Sequence, residues 1–360
     1  MEPLEIAIPL TLGFAVSLAL TVPAGALARR LGAVDQLSER GVNRQADMPL
    51  WGGLAVGVAV AVAVATWDLV TGGDTAAADA VCLALGGGLL LAMGLWDDRF
   101  GLSAWPKLSV QILAAALAVW SGHEIARLTD PFTLQVVDLP RWAVWPATLL
   151  WIVGITNAMN LLDGLDGLAS GVGAIIGITL TLIAYQAGEP FGVVLGLALV
   201  GALLGFLPHN FSPARVFLGD TGSTLIGYVL AIVALEGYRR VSLITFVVPL
   251  LALAIPILDT LLSIVRRVRM RAPILAADRM HMHHRLLDAE GSTTGAVLQF
   301  YLLTAAFCLI ALSFTQLQGL SAAVFLAAVI ALTLRLLWNL GSFRVSEDEG
   351  EPDDSSEGSS

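Results

Sequence analysis

The sequence predicts an all-α polytopic membrane protein with about eleven transmembrane helices, the N-terminus outside and the C-terminus in the cytosol. Three observations predict it. Of the 360 residues, 57% are hydrophobic and 13% are charged, a charged share about half that of a soluble domain, and the mean hydropathy is +0.81. Apolar segments close to the ~20 residues that cross a bilayer core recur along almost the whole chain. Lys and Arg fall overwhelmingly on one side of the zigzag these segments imply. This composition excludes a soluble globular domain, a disordered chain and a nucleic-acid binder.

In chain order, the first segment is 4–28. The residues before it, Met1-Glu-Pro-Leu-Glu5, lack the basic flank of a secretory leader, so it reads as a retained helix. Segments 51–70, 79–96 and 106–122 follow, then 142–160, 167–187, 191–208, 222–238 and 241–265, and finally 295–316 and 318–340. Small residues four apart (Gly173 and Gly177, Gly192 and Gly196, Gly201 and Gly205) mark close helix packing, either within the chain or across a homodimer. Between segments four and five, Thr133-Leu-Gln-Val-Val-Asp-Leu139 alternates in polarity and reads as a short external hairpin. Cys82 and Cys308 lie inside apolar runs and read as packing residues, with no disulfide or zinc pattern.

The connections form two alternating sets. One holds 29–50, 97–105, 161–166, 209–221, 266–294 and the C-terminal tail; with helix-end Lys107 and Arg335, it carries 15 of the 19 Lys and Arg residues. The other carries Arg127, Arg141, Arg239 and Arg240. The positive-inside rule therefore places the first set in the cytosol, and an odd number of spans puts the termini on opposite faces. The formal charge of −10 comes mostly from residues 345–360, which carry seven acidic and no basic residues. The chain divides into a membrane domain, 1–344, and an acidic cytosolic tail, 345–360, whose composition predicts disorder.

On the outer side the polar residues are scattered. On the inner side they are dense and come in four motifs. Gly94-Leu-Trp-Asp97-Asp98-Arg99 closes segment three; adjacent carboxylates repel unless a cation sits beside them, and magnesium favours carboxylate oxygens. A solvated loop entry is the alternative. In Asn157-Ala-Met-Asn160-Leu-Leu-Asp163-Gly-Leu-Asp166-Gly-Leu-Ala, polar residues recur every third position, which predicts a stripe along one helical face. Such a stripe at membrane depth is costly unless it is paired or faces a water-filled cavity. The third motif runs from His209-Asn210 through Arg215 to Phe217-Leu-Gly-Asp220-Thr-Gly-Ser223, a small-residue turn feeding a helix N-terminus. There Asp220 reads as a cation ligand or as an N-cap. The fourth is the loop from Arg266 to Arg285, with His281, His283 and His284 among six arginines. That setting suits phosphate oxygens better than zinc. Asp259, inside segment nine, reads equally as functional or as a buried structural partner. Together the motifs supply carboxylates, a metal-compatible pair and a basic loop at one membrane face, the inventory of phosphoryl transfer.

Over residues 29–295 these motifs resemble the polyprenyl-phosphate N-acetylhexosamine-1-phosphate transferases. Asp97-Asp98 with Lys107-Leu and Gln111 is similar to the family's first motif, and Asn157–Ala169 is close to its second. Phe217–Ser223 and His281-Met-His-His-Arg-Leu-Leu are similar to its third and fourth. The run Asp278-Arg-Met-His-Met-His-His-Arg-Leu-Leu-Asp, with Pro256-Ile-Leu-Asp259-Thr upstream, resembles the branch that uses UDP-N-acetylglucosamine; the phospho-N-acetylmuramoyl-pentapeptide branch carries a triple histidine followed by an aromatic residue.

The resemblance implies a multi-pass protein of the cytoplasmic (inner) membrane with its active site on the cytosolic face, built from loops 29–50, 97–105, 157–167, 209–223 and 266–294. It would move a sugar-1-phosphate from a UDP-sugar to a polyprenyl phosphate, the first membrane step of a cell-envelope polysaccharide, with magnesium or manganese as cofactor. Asp98 and Asp220 would be metal ligands, and Asp97 would position or deprotonate the lipid phosphate. Asn160 and Asp163 would stand at the catalytic centre. Asp166, Asn210 and Phe217 would form the uridine pocket, and His281, His283 and His284 would hold the diphosphate and sugar. The first cytosolic loop departs from the family pattern: Gly41 and Asn43 stand where Lys and His are expected, although Gly52-Gly53 remains. The alternatives are the muramoyl-pentapeptide reaction and, in another class, a transporter. A transporter would need ionisable residues through the midplane and a polar route to both faces.

Overall fold

The computed structural model describes residues 1–35, 47–72, 79, 82–129, 135–239, 247–269, 286–287, 290–316 and 319–339. Within them the chain is a bundle of helices. Helix α1 is Pro3–Leu31 and α2 is Gly52–Thr71. A π-helical turn, Cys82–Gly87, runs into α3, Gly88–Phe100, and α4 is Ala104–Trp120. Helices α5 (Arg141–Leu162), α6 (Leu168–Ala187), α7 (Pro190–Asn210) and α8 (Gly219–Arg239) follow. Then come α9 (Val247–Ala252), α10 (Ala254–Arg269), α11 (Thr293–Phe314) and α12 (Gly319–Asn339).

Each of the eleven apolar segments overlaps a helix, and six helices among the described residues (α1, α2, α5, α6, α7 and α11) are long and apolar enough to cross a membrane. The others depart for local reasons. Helix α8 carries Asp220 and Glu236 near its two ends. Segment nine is broken at Leu253 into α9 and α10. Pro256 lacks the N–H that would close the ladder on Ala252, so one helical bond is missing at the break. Residues 241–246 of that segment lie outside the described residues, as does the acidic tail.

The expected hairpin is present. Strand β3, Arg127–Thr129, pairs antiparallel with β4, Val136–Asp138. Two residues on either side of the first loop, Val34–Asp35 (β1) and Met48–Pro49 (β2), form a second small ladder.

Helix α8 is the axis of the bundle, packed by α2, α3, α5, α6 and α7, while α1 lies along α2 and α7. From Leu225 to Leu235 α8 is buried and lined almost wholly by apolar side chains; Tyr228 alone brings a hydroxyl. The spaced glycines work within the chain. A Cβ on Gly201 would lie 2.2 Å from the Leu10 carbonyl, and one on Gly196 would lie 2.1 Å from Thr181 Oγ1. Gly173, Gly177 and Gly192 likewise abut α7, α8 or α6 residues of the same chain. Cys82 and Cys308 are both free and buried, as expected of packing residues.

At the end of α8 opposite Asp220, three residues distant in sequence converge. The outer polar residues read as scattered, but His123 is fully buried, with Nδ1 2.8 Å from Glu236 Oε1 and Nε2 3.4 Å from Asp79 Oδ1. Burial works against a charged His123, but contacts with Cys82 and Glu236 outweigh it and push its pKa from 6.5 up to about 10. A raised folded-state value means stability that is complete below about pH 6.5 and lost as pH rises towards 10. Removing one partner of a buried pair leaves the other charge uncompensated, at a cost of about 3–5 kcal/mol. His123→Gln is therefore expected to lower the apparent Tm in detergent. The wild-type Tm should fall between pH 6.5 and 10 while the variant's stays nearly flat; parallel curves would refute the charged pair.

Candidate active site

The opposite end of the bundle gathers the motif residues. Here the N-termini of α2, α4 and α8 meet the C-termini of α3, α5 and α7. Glycines allow the approach. A Cβ on Gly53 would lie 2.0 Å from the Gly222 nitrogen, and one on Gly94 would lie 2.3 Å from Thr221 Cα. Backbone bonds stitch the first loop's end to the third motif: Gly52 N–H donates to Phe217 O (3.0 Å), Gly53 N–H to Leu218 O (2.9 Å) and Phe217 N–H to Pro49 O (2.8 Å).

Helix α3 ends at Gly101, whose positive φ of 71° lets the chain turn away. Its last turn presents Asp97 and Asp98 in different roles. Asp98 caps the start of α8 from another helix. Its Oδ1 accepts from Asp220 N–H (2.7 Å), and its Oδ2 accepts from Thr221 N–H (3.3 Å) and Thr221 Oγ1 (2.6 Å). A carboxylate at a helix N-terminus satisfies orphan donors and meets the positive end of the dipole. Asp97 turns the other way. Its Oδ1 accepts from Leu102 N–H at 2.6 Å, and its Oδ2 forms an ion pair with Lys107.

Lys107, in the first turns of α4, is the centre of the arrangement. Its ammonium bridges Asp97 and Asp220, donating to Asp220 Oδ2 at 2.6 Å. Asp220 Oδ1 accepts from Asn160 Nδ2 at 3.0 Å, and the same amide donates to Ser223 Oγ at 2.8 Å. Three elements, α3, α4 and α5, thus converge on Asp220 of α8.

The polar stripe of the second motif is not one helical face. Helix α5 stops at Leu162, and Asp163 to Gly167 form the turn into α6. Gly167 takes a left-handed φ of 78°, so the three-residue spacing crosses a helix end and the four side chains separate. Asn157 pairs with Gln111 of α4 through reciprocal amide bonds of 2.6 and 3.3 Å. Asn160 goes to Asp220. Asp166 Oδ2 accepts from Ala214 N–H at 3.0 Å.

Asp163 is half-buried in the turn. Its carboxyl is held well above the usual carboxylate range, first by burial and then by the negative charges of Asp220, Asp98 and Asp166. No hydrogen bond offsets these effects among the described residues.

The third motif brings Asn210 against that turn. Its Oδ1 accepts from Gly167 N–H (3.1 Å) and Ser170 Oγ (2.7 Å), and its Nδ2 donates to Val216 O (3.2 Å). Asp166 and Asn210 therefore both bond the backbone of 214–216, and Phe217, next in the chain, is half-buried. His281, His283 and His284 lie outside the described residues, as do Gly41 and Asn43. Asp259 is buried in α10, as are Arg266 and Arg267 on the same helix.

From the sequence Lys107 reads only as a motif member and helix-end cation, and the Thr221 and Ser223 contacts are not foreseeable there. The signal for Lys107 was its place on the next helix after a paired carboxylate. As for a metal, no group of three His, Cys, Asp or Glu side chains among the described residues already converges as a cation would require. The Lys107 ammonium occupies the position between Asp97 and Asp220. The donors are nonetheless hard carboxylate oxygens, and Asp98, Asp166 and Asp220 lie close enough to Asp163 to raise its pKa, the kind of crowding a divalent cation would relieve. The residues fit magnesium chemically.

Residues 80–238 match the glycosyl transferase family 4. The chain is 37% identical over 315 residues to the probable undecaprenyl-phosphate N-acetylglucosaminyl 1-phosphate transferase of Bacillus subtilis, covering 87% of this chain and 83% of that protein. It is 38% identical over 300 residues to the decaprenyl-phosphate N-acetylglucosaminephosphotransferase of Mycolicibacterium smegmatis, covering 77% of this chain and 74% of that one. Similarity to the phospho-N-acetylmuramoyl-pentapeptide-transferase of Levilactobacillus brevis is 39% over 166 residues, 42% of this chain and 50% of that one.

Proposed function

The chain belongs to the polyprenyl-phosphate N-acetylhexosamine-1-phosphate transferases of glycosyl transferase family 4, and from that premise we propose that it transfers N-acetylglucosamine-1-phosphate from UDP-N-acetylglucosamine to a polyprenyl phosphate. The products are polyprenyl-diphosphate N-acetylglucosamine and UMP. The observation that carries this reading is the convergence of Asp97, Lys107, Asn160 and Asp220, from three motifs, at one end of the bundle. The choice of sugar follows the relatives matched over most of their length, both named for N-acetylglucosamine; the muramoyl relative is matched over half of its own.

In the reaction, an oxygen of the lipid phosphate attacks the β-phosphorus of the nucleotide sugar, and the bond from that phosphorus to the UMP oxygen breaks. Both reactants are anions. The lipid phosphate is mostly a dianion at neutral pH, its second pKa being ~6, so orientation and charge neutralisation matter more than a base. The structure supports a positioning role for Asp97, since one oxygen already accepts from Leu102 and the other pairs with Lys107. Lys107 brings positive charge to the place where phosphates would meet. Magnesium, with manganese as a substitute, would supply further neutralisation when bound. Asp98 and Asp220 would hold it, with Asp163 adjacent. Asp98 has a second part, fixing the backbone that carries Asp220. Asp166, Asn210 and Phe217 would receive the uridine.

We place the site on the cytosolic face of the cytoplasmic membrane, from the Lys and Arg asymmetry of the connections. A transporter reading is disfavoured because the buried stretch of α8 between its two polar ends offers no polar route. The assay is purified protein in detergent with UDP-N-acetylglucosamine and undecaprenyl phosphate. UMP release is expected only when both substrates and magnesium are present. Release without the lipid phosphate, or none with any UDP-N-acetylhexosamine, would reject the reading.

A further inference from the structure

Gly167 is the joint between the Asp163–Asp166 turn and helix α6. Its N–H is held by Asn210 Oδ1. Its carbonyl begins α6 by accepting from Gly171 N–H at 2.9 Å and lies 3.2 Å from Ser170 Oγ, and its shortest contact is from the phenol of Tyr301, at 2.6 Å. Tyr301 belongs to α11, past residues 80–238 and outside all four motifs. The contact is built for. Gly171 sits one turn into α6, where a Cβ would lie 2.0 Å from Tyr301 Cζ and Oη. A Cβ on Gly167 itself would lie 3.2 Å from the Phe211 ring and 3.4 Å from the phenol. Two glycines thus make room for one tyrosine, and that tyrosine bonds the turn that carries Asp166.

We propose that Tyr301 is a positioning residue for the nucleotide half of the donor. It fixes the Asp166–Gly167 backbone against the Asn210–Phe217 segment, so that Asp166, Asn210 and Phe217 hold a pocket shaped for a pyrimidine nucleotide. This rests on the uridine-pocket reading above. The physical basis is local. Without the phenol, the Gly167 carbonyl keeps its helical bond to Gly171, so α6 still starts there. The turn loses the tie that sets its angle, and Asp166, next to Gly167 in that turn and bonded to Ala214 N–H, moves with it. The lipid phosphate side, at Asp97 and Lys107, has no contact with Tyr301.

The test is Tyr301→Phe, with Gly171→Ala as a second variant that displaces the phenol from the opposite side. UMP affinity is measured by calorimetry, and KM is measured separately for UDP-N-acetylglucosamine and undecaprenyl phosphate. Loss of one hydrogen bond of ordinary strength predicts about fivefold weaker UMP binding and a matching rise in the nucleotide-sugar KM. The lipid KM should be unchanged and kcat should stay within about twofold. Unchanged UMP affinity in either folded variant overturns the proposal, and so do equal rises in both KM values, which a merely structural role would give. Failure of the pocket reading itself shows differently, as a wild-type protein that turns over but does not bind UMP; that result overturns both.

Discussion

Asp220→Asn is expected to reduce kcat by about 10³-fold, a loss typical of removing a preorganised electrostatic group from a reacting centre. The carboxylate is contacted from two sides, by Lys107 on Oδ2 and Asn160 on Oδ1. An amide of the same size keeps one acceptor. Its NH2 group then either meets the Lys107 ammonium, donor against donor, or turns to face the Asn160 amide. The backbone of residue 220 stays capped by Asp98, so the fold should survive and the thermal midpoint should barely move. The measurement is kcat across a magnesium titration. Activity should be low at every concentration, or the half-saturating concentration should shift far upward. Wild-type kcat with an unchanged magnesium requirement would remove Asp220 from the site.

Lys107→Met carries the second large effect, and it differs in kind. The ammonium is the cation that the structure places between Asp97 and Asp220. Its removal leaves two carboxylates facing each other, of which Asp97 has a side chain only 7% exposed. A fully buried orphan charge costs about 3–5 kcal/mol; the lysine here is 26% exposed, and solvent screening reduces the figure to about 1–3 kcal/mol. The variant should therefore lose both kcat, by about 10²-fold, and several degrees of thermal midpoint. Magnesium should restore part of the stability, because a divalent cation satisfies the same pair of carboxylates. Full activity in Lys107→Met would show that the ammonium serves folding alone. Full stability would show that Asp97 and Asp220 have another partner.

The helical, polytopic fold was legible because a bilayer imposes one rule on every span: a long apolar run whose backbone bonds are internal. Each such run overlaps a helix. What the runs concealed was set by single residues. Pro256 divides segment nine, and the left-handed Gly167 turns an apparent helical stripe into a helix end plus a turn. Periodicity in sequence cannot distinguish a face that continues from one that stops, because both place polar residues three apart. The inner motifs were legible as clusters of carboxylates beside small residues, and the structure brings Asp97, Asp98, Asn160 and Asp220 into one network. Their division of labour was not legible. Asp97 and Asp98 are neighbours in sequence, yet one pairs with a lysine and the other caps a different helix. The His123, Glu236 and Asp79 cluster was invisible for a simpler reason. Its members come from three separate segments, and each looks like an isolated polar residue at the edge of an apolar run.

The central claim is that a phosphoryl group, with its sugar attached, leaves UMP for the lipid phosphate at the Asp97, Lys107, Asn160 and Asp220 network. The most direct measurement uses UDP-N-acetylglucosamine labelled with phosphorus-32 in the β-phosphate, incubated with the purified protein, undecaprenyl phosphate and magnesium, and then partitioned between butanol and water. Label should move into the organic phase in step with unlabelled UMP appearing in the aqueous phase. Label remaining in the aqueous phase as UDP while sugar reaches the lipid would mean cleavage on the other side of the β-phosphate, and would contradict the claim.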